Sequence, residues 1–438
     1  MFSDLSLVAT AAILFGFLLG LLALGVWIGI ALILVGFAAI LMVTTVPIGP
    51  VLATTVWASS ASWTLAALPL FIWMGEILFR TRLSEQMFMG LAPWLNWLPG
   101  RLLHVNVVGC GVFAAVSGSS AATCATVGKI ALPELKKRGY DDMMSLGSLA
   151  GSGTLGLLIP PSIPMVVYAI AANVSVIQVF LAGFLPGLVV MALYSGYIVL
   201  WSALNPAKSP PPEPRTSVAF KLRRSAKLLP VLLLIAAIFA SLIFGWATAT
   251  ECAAWGVTGA LILAWWSGTL TWTTFVESLL SATRLTVTIM LILAGAAFTT
   301  AAMAYTGIPV ALASWVESLH LSPYVLIAAL TVMYILLGCL IDGISMIVLT
   351  TVVVLPMVKQ AGFDLVWFGV FLIILVEMAQ ITPPVGFNLF VLQNMSGRDS
   401  FTIARAALPF FFLLVAAVAI ITAFPDIALW LPRTAFPE

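Results

Sequence analysis

The stretch GSGTLGLLIPPSIPMVVYA, Gly151 to Ala169, places three glycines and three prolines inside a long apolar segment. A second stretch, MAQITPPVGFNLFVL (Met378–Leu392), carries the same pair of adjacent prolines. Proline removes a backbone donor and clashes with the preceding turn, so each stretch predicts an interrupted helix rather than a continuous one. Because the break occurs twice, a single accidental kink does not explain it.

The composition excludes a soluble protein. Of the 438 residues, 62% are hydrophobic and 8% are charged, whereas soluble domains contain roughly 25% charged residues. Apolar runs long enough to cross a hydrocarbon core of about 30 Å recur along the chain, for example at Val174–Trp201 and Ala406–Phe424. We therefore predict an all-α polytopic membrane protein. The net charge of +2 gives no indication of a nucleic-acid partner.

An internal repeat organises the chain. The segments LPELKKRGYD (Leu132–Asp141) and LPMVKQAGFD (Leu355–Asp364) share Leu, Pro, Lys, Gly, an aromatic residue and Asp at a constant offset of 223 residues. The same offset carries the first Pro-Pro pair onto the second, which indicates a duplication. The predicted parts are N-terminal scaffold helices (1–60), a first repeat (61–203), a linker (204–227), a second repeat (228–400), and a C-terminal helix and tail (401–438).

The linker sets the orientation, because it carries six Lys or Arg residues and basic loops remain in the cytoplasm. Counting crossings backwards predicts a periplasmic N-terminus, a re-entrant hairpin at about 101–136 entering from the cytoplasm, and a broken helix at about 141–173. Counting forwards predicts the equivalent hairpin at about 323–360 on the opposite side and a broken helix at about 363–395. Such inverted repeats with interrupted helices are typical of secondary transporters.

The hairpin tips, SGSS (Ser117–Ser120) and IDGIS (Ile341–Ser345), are expected to meet the helix breaks. Irregular backbone is tolerated inside a membrane only where it is buried in protein or lines a wet cavity. Freed carbonyls and hydroxyls suit a sodium ion, and half-helix N-termini suit an anion. Taken alone, the small residues are explained by close helix packing and a Pro-Pro pair by a kink. Their repetition in both halves favours a site.

Asp342 is an acid at the expected middle of the membrane, where a charge is costly. We favour a direct or indirect role in ion binding over a buried acid that is satisfied by backbone N–H groups. For Glu377, six residues before Pro383, a structural hydrogen bond to the broken backbone is at least as plausible as a function. Glu76 and Arg284 are expected to pair or to extend towards a helix end.

The sequence closely resembles the large membrane subunit of tripartite ATP-independent periplasmic (TRAP) transporters in six ordered motifs: FAAVSGSSAA, ALPELKKRGYD, GTLGLLIPPSIPMVVYA, FLAGFLPGL, CLIDGIS and ITPPVGFNLFVL. The resemblance runs from about Leu68 to Gln393, and it departs at Trp27, where the family often has proline. It implies sodium-driven uptake of a small, usually carboxylated solute by an elevator mechanism in the bacterial inner membrane, without an organic cofactor. It also implies two partners, a periplasmic substrate-binding protein and a separate small four-helix membrane subunit.

The resemblance places sodium sites at the hairpin tips and the facing breaks. Carried over to this sequence, the candidate sodium ligands are Ser117, Ser120, Gly153, Thr154, Asp342, Ser345 and Thr382. The residues expected to contact the solute are Gly118, Ser119, Pro160, Pro161, Pro383, Pro384, Gly386 and Asn388.

Other functions stay open at this point. A related ion-coupled carboxylate carrier would work alone, and a neighbouring pair of genes for a binding protein and a small four-helix protein would decide against it. An intramembrane protease would use Ser117 with His104 or His320 as its base, but neither histidine lies on an evident partner helix. A purely structural membrane subunit would not need two breaks. We therefore expect a transporter rather than an enzyme.

Overall fold

The computed structural model describes residues 6–81, 83–208, 210, 217–226, 228–318, 322–339, 341–384 and 386–436, and these residues form helices and no strand. The helices of the first half are α1 (Leu7–Ala23), α2 (Ile28–Val43), α3 (Ile48–Ser60), α4 (Ala67–Phe79), α5 (Leu83–Leu95), α6 (Leu102–Ser117), α7 (Ser120–Lys137), α8 (Asp142–Leu158), α9 (Ile163–Ala171) and α10 (Val176–Leu204). Those that follow are α11 (Val218–Ser225), α12 (Leu229–Ile243), α13 (Ala249–Trp266), α14 (Trp272–Thr306), α15 (Ile308–Ser318), α16 (Pro323–Gly338), α17 (Gly343–Gln360), α18 (Leu365–Gln380), α19 (Phe387–Ser396), α20 (Ser400–Ala423) and α21 (Asp426–Ala435).

Among the described helices, α10, α14, α17 and α20 are each long and apolar enough to cross a bilayer. Helices α8 and α9 pass the same test as a pair, bent by 43° at the break between them. Shorter apolar helices, including α2, α6, α16 and α18, accompany them. The chain is thus an all-α polytopic membrane protein, as its composition predicts.

The repeat seen in the sequence is a repeat of helices. Helices α7 and α17 begin and end at the same offset of 223 residues, and α8 and α18 begin at that offset too. In each half a hairpin (α6–α7 or α16–α17) precedes a broken helix (α8–α9 or α18–α19). The peptide bond between the two prolines is cis in each break. The opposite orientation of the two halves in the membrane stays a prediction.

The repeated Gly-aromatic-Asp motif marks the junction between two helices. Gly139 and Gly362 have φ angles of 76° and 83°, the left-handed conformation that ends α7 and α17. Asp141 and Asp364 then cap α8 and α18 by accepting backbone N–H groups of the first turn, at 2.9 and 2.7 Å. The residues that the two copies of the motif share therefore specify where one helix ends and the next begins.

Helices α1–α4 and α12–α14 pack on one another and form what we call the scaffold. Helix α14 runs along α2, and glycines permit their close approach. A Cβ on Gly295 would lie 2.4 Å from the carbonyl oxygen of Gly29, and one on Gly36 would lie 2.7 Å from the ring of Phe298. At the end of α4, Arg80 pairs with Glu277 of α14. Nη1 of Arg80 lies 2.7 Å from Oε2 of Glu277.

Helices α6–α10 and α16–α21 form a second set, which we call the core. The first parts of both broken helices lie at its centre: every residue of α8 from Met144 to Leu158 is buried, as is every residue of α18 from Trp367 to Gln380. A helix that is buried on all sides does not face lipid. Core and scaffold meet where α4 packs on α6 and α9, and where α14 packs on α9 and α17.

Two helices lie in segments for which the sequence predicted only a linker or a tail. Helix α11 lies in the linker and is tied to α5 by a hydrogen bond from the Trp94 indole N–H to the Ser225 hydroxyl, at 2.7 Å. Helix α21 follows the predicted C-terminal helix and packs on α10, burying Ala428 and Leu429. Linker residues 209, 211–216 and 227 lie outside the described part of the chain.

Candidate functional site

In the first half, a tight turn joins α6 to α7. Helix α6 ends at Ser117, and Gly118 turns the chain with a left-handed φ of 57°. The hydroxyl of Ser119 then caps α7. The backbone N–H of Ile163, just after the break, donates to the carbonyl oxygen of Gly118 at 3.5 Å. The first tip and the first break therefore meet, as the sequence predicts.

In the second half, Asp342 stands where Ser119 stands in the first, and it caps α17. Its carboxylate accepts the backbone N–H of Ser345 at 3.1 Å and also the hydroxyl of Ser345. Gly343 lies so close to α18 that a Cβ there would be 2.1 Å from Cγ1 of Val376. The second tip therefore packs on the helical segment that leads into its own break.

A cavity of about 250 Å³ lies between the two tips. The tips contribute Gly118, Ser119, Ser120, Ala121, Asp342, Gly343 and Ile344. The walls contribute Leu157, Ile163, Pro164, Leu285, Val376, Gln380 and Phe387. Of these described residues, Leu285 on α14 is the only one from the scaffold, Asp342 is the only charged one, and none is Lys, Arg or His.

The structure brings four predicted site residues to this cavity: Gly118, Ser119, Ser120 and Asp342. The other predicted residues lie outside its lining, in the breaks and in the neighbouring helices: Ser117, Gly153, Thr154, Pro160, Pro161, Ser345, Thr382, Pro383, Pro384, Gly386 and Asn388. The hairpin tips, rather than the proline pairs themselves, therefore form the cavity.

Ser120 and Asn388 join the two halves. The hydroxyl of Ser120 donates to Oδ1 of Asn388 at 2.8 Å, and the Asn388 amide donates to the carbonyl oxygen of Ala150 at 3.3 Å. Both side chains are buried. The amide of Asn388 is thus hydrogen-bonded to other residues of this chain, and it connects α19 of the second repeat to α7 and α8 of the first.

Thr154 and Glu377 occupy equivalent positions on α8 and α18, one offset apart. The hydroxyl of Thr154 lies 3.3 Å from that of Tyr194 on α10. Glu377 is fully buried, and its carboxylate lies near the amides of Leu157 and Leu158 but outside hydrogen-bonding geometry. Glu377 therefore points at the last turn of the opposite broken helix, and not at the cavity.

Within the described residues, Ser117 has no histidine beside it that could act as the base of a serine protease. The hydroxyl of Ser117 lies 2.7 Å from that of Thr123. Ring nitrogen Nε2 of His104 lies 2.7 Å from the carbonyl oxygen of Pro99, at the opposite end of α6 from Ser117. His320 lies outside the described residues.

The sequence analysis missed the walls of the cavity. Leu157, Leu285 and Val376 could not be predicted from the sequence. An apolar side chain in a membrane helix gives no indication of whether it faces a cavity, a neighbouring helix or lipid. Gln380 could have been found, since it is an amide in an otherwise apolar helix, three residues before Pro383.

Two repeats of a hairpin and a broken helix, with a small cavity between the hairpin tips of a membrane protein, define the class of secondary transporters. Comparison with known families makes the assignment specific. The chain belongs to the family described as the tripartite ATP-independent periplasmic transporter, DctM component, whose model matches residues 15–427. The family is that of the large membrane subunit, and membership implies a small membrane subunit and a periplasmic binding protein as partners.

Individual relatives match along most of their length. The C4-dicarboxylate TRAP transporter large permease protein DctM of Pseudomonas aeruginosa is 32% identical over 383 residues, 87% of this chain and 89% of that protein. The sialic acid TRAP transporter large permease protein SiaM of Vibrio cholerae is 28% identical over 437 residues, 96% of this chain and 97% of that protein. Both are named as transporter permeases and not as enzymes.

A solved structure shares the fold. The YdaH transporter of Alcanivorax borkumensis, described as having an unusual topology, superposes with a TM-score of 0.64 at 13% identity. The match covers 87% of this chain and 88% of that one.

Proposed function

We propose that this chain is the sodium-coupled permease subunit of a TRAP transporter and moves a small carboxylated solute across the bacterial inner membrane. A periplasmic binding protein delivers the solute, and a separate small four-helix subunit braces the scaffold. The N-terminus is periplasmic and the linker is cytoplasmic. The observation that carries the proposal is the cavity between the two hairpin tips.

A carboxylate in this cavity finds donors at helix N-termini. Helices α7, α9, α17 and α19 all contribute residues of their first turn to the lining. The unpaired N–H groups and the positive dipole end of a helix N-terminus favour an anion. Relatives named for C4-dicarboxylates and for sialic acid handle acids, which supports a carboxylated solute here.

Sodium coupling is supported by the oxygen atoms at each tip. The last carbonyls of α6 lie against α4, where a Cβ on Gly75 would be 3.0 Å and 3.1 Å from the carbonyl oxygens of Val116 and Ser117. Carbonyl, hydroxyl and carboxylate oxygens are the ligands of a hard cation in a broken-helix transporter. The proposed ligands are Ser117, Ser120, Gly153 and Thr154 in the first half, and Asp342, Ser345 and Thr382 in the second.

An elevator movement is supported by the division between core and scaffold. The described lining of the cavity belongs to the core except for Leu285, which lies near the middle of α14. If the core slides along the scaffold, it carries nearly the whole cavity with it and exchanges only the contact with Leu285. The solute and the sodium ions then cross the membrane together with the core.

Uptake into proteoliposomes tests the proposal. With the small subunit and the binding protein present, the chain is expected to accumulate the solute of that binding protein under an inward sodium gradient, and not under an equal potassium gradient. Transport by this chain alone would refute the tripartite mechanism and would favour the stand-alone carboxylate carrier.

A further inference from the structure

We infer that the cavity selects a small monocarboxylate with an apolar body, and that it binds the carboxylate at the N-terminus of α7 and not at that of α17. The inference rests on the proposed function and deepens it by naming the class of solute. It follows from a difference between the two tips, from the walls of the cavity and from one unpaired amide.

The two tips differ in charge at equivalent positions. Ser119 caps α7 with a neutral hydroxyl, which accepts the N–H of Ala122 at 3.4 Å. The positive end of α7 is therefore not compensated by its own cap. Asp342 caps α17 with a carboxylate that accepts both the N–H and the hydroxyl of Ser345. An anion in the cavity is attracted to α7, whereas α17 already holds one.

The side chains of the cavity offer no positive charge to a second carboxylate. Leu157, Ile163, Leu285, Val376 and Phe387 are apolar, and the described lining holds no Lys, Arg or His. A dicarboxylate would have to place its second charge without a basic partner, among these side chains or next to Asp342. Burying a charge without a partner is costly, and so is placing it beside a like charge. The walls suit an aliphatic body instead.

Gln380 is independent evidence for a polar ligand. It lines the cavity and is only 8% exposed, yet its side chain makes no hydrogen bond within the described residues. Its amide atoms are not among the fully buried, unpaired side-chain atoms of the described residues, so they are open to a ligand in the cavity. An oxygen atom of the solute, such as the keto oxygen of a 2-oxo acid, supplies the missing acceptor for its N–H groups.

The volume of the cavity suits a small solute. At about 250 Å³, it is smaller than the roughly 300–1,000 Å³ of pockets that bind drug-sized ligands. A short aliphatic acid fits within this volume.

The test measures the thermal unfolding of the purified chain with its small subunit in sodium buffer. The probes are 4-methyl-2-oxopentanoate, a monocarboxylate with an apolar body, and succinate, a dicarboxylate. The monocarboxylate is expected to raise Tm with a half-maximal concentration at least about tenfold below that of succinate. An equal or better response to succinate overturns the inference, and so does the absence of a response to either acid.

Two variants of one residue isolate the charge at the first tip. Ser119→Asp and Ser119→Asn introduce side chains of the same size that both cap helices well, so they differ mainly in charge. The half-maximal concentration of 4-methyl-2-oxopentanoate is expected to be about tenfold higher for Ser119→Asp than for Ser119→Asn. Equal values for the two variants would show that the carboxylate does not bind at α7.

A sodium titration separates this inference from the proposed function. Sodium is compared with potassium in the same preparation, without any acid. A sodium-specific rise in Tm without a preference for the monocarboxylate overturns the inference and leaves the proposed function standing. Uptake by the complete transporter that does not depend on sodium overturns the proposed function itself.

Discussion

The two hairpins share their helix boundaries but not the chemistry of their tips. Helices α7 and α17 start and stop at equivalent residues. The residues that correspond to Ser119 and Ser120 of the first half, however, are Asp342 and Gly343 in the second. Ser120 reaches Asn388 of the opposite repeat, whereas Gly343 packs on its own repeat at Val376. After the duplication, the signals that begin and end helices were kept, and the side chains at those beginnings diverged. The two tips therefore differ in charge, because a neutral hydroxyl caps α7 and a carboxylate caps α17.

The largest expected effect concerns the sides of the membrane on which the two hairpins enter. Lys137 and Gln360 are equivalent in the repeat and both are exposed, but inverted halves place Lys137 in the cytoplasm and Gln360 in the periplasm. Single cysteines at these positions are expected to react with a membrane-impermeant maleimide from opposite sides. The background variant is Cys339→Ala, because Cys110, Cys124 and Cys252 are buried. Labelling of both positions from the same side of the membrane would refute the predicted inverted topology.

The next effect concerns the acidic tip. Asp342→Asn keeps the size of the side chain and one acceptor but removes the charge. We expect initial uptake to need at least about tenfold more external sodium, since one carboxylate ligand contributes more than 1.4 kcal/mol to holding a cation. The matched control is Asp364→Asn, the same change at the cap of α18, outside the proposed site. If Asp342→Asn instead expresses poorly and transports with normal sodium dependence, Asp342 is a structural acid.

A smaller effect distinguishes how the two tips are packed. Gly343→Ala places a Cβ 2.1 Å from Val376, and overpacking of this kind costs about 1–3 kcal/mol. Ser120→Ala at the equivalent position removes one hydrogen bond to Asn388, for a net cost of about 1 kcal/mol. The apparent Tm in detergent is expected to fall more for Gly343→Ala. The reverse order would mean that the bond between the repeats matters more than the packing of the second tip.

The smallest effect should be the same in both halves. Asp141→Ala and Asp364→Ala each remove a side-chain cap from an equivalent helix, and the loss of such a cap costs about 1 kcal/mol. The two variants are expected to lower the apparent Tm by similar amounts while the sodium dependence of uptake stays normal. A much larger loss for one of them would show that the repeated motif has gained a second role in that half.

The fold was readable from the sequence where it depends on backbone signals. Proline pairs, left-handed glycines and capping aspartates act locally, so the offset of 223 residues predicts the hairpins and the breaks. The first tip meets its break as predicted, whereas the second tip packs on Val376, before its break. Helix α21 was missed because it is only ten residues long, directly follows Pro425 and contains Pro432, and prolines this close together favour an irregular tail.

The candidate site was readable only in part, because tertiary packing decides which atoms face the cavity. Asp342 stands out as an acid in an apolar segment. Asn388 looks equally suitable in the sequence, but in the structure its amide is bonded to Ser120 and Ala150. Leu285 lies far from both repeat motifs in the chain and reaches the cavity only through the packing of scaffold on core.

The single contact of Leu285 with the cavity has a consequence for how this kind of molecule can change over time. The scaffold, which the proposed function assigns to the accessory subunit, supplies only Leu285 to the described lining of the cavity. Mutations in the core can therefore alter what is carried without disturbing the fit between subunits. A transporter divided in this way can be retargeted to a new nutrient while it keeps its partner in the membrane, and relatives named for different acids are what such a division would leave behind.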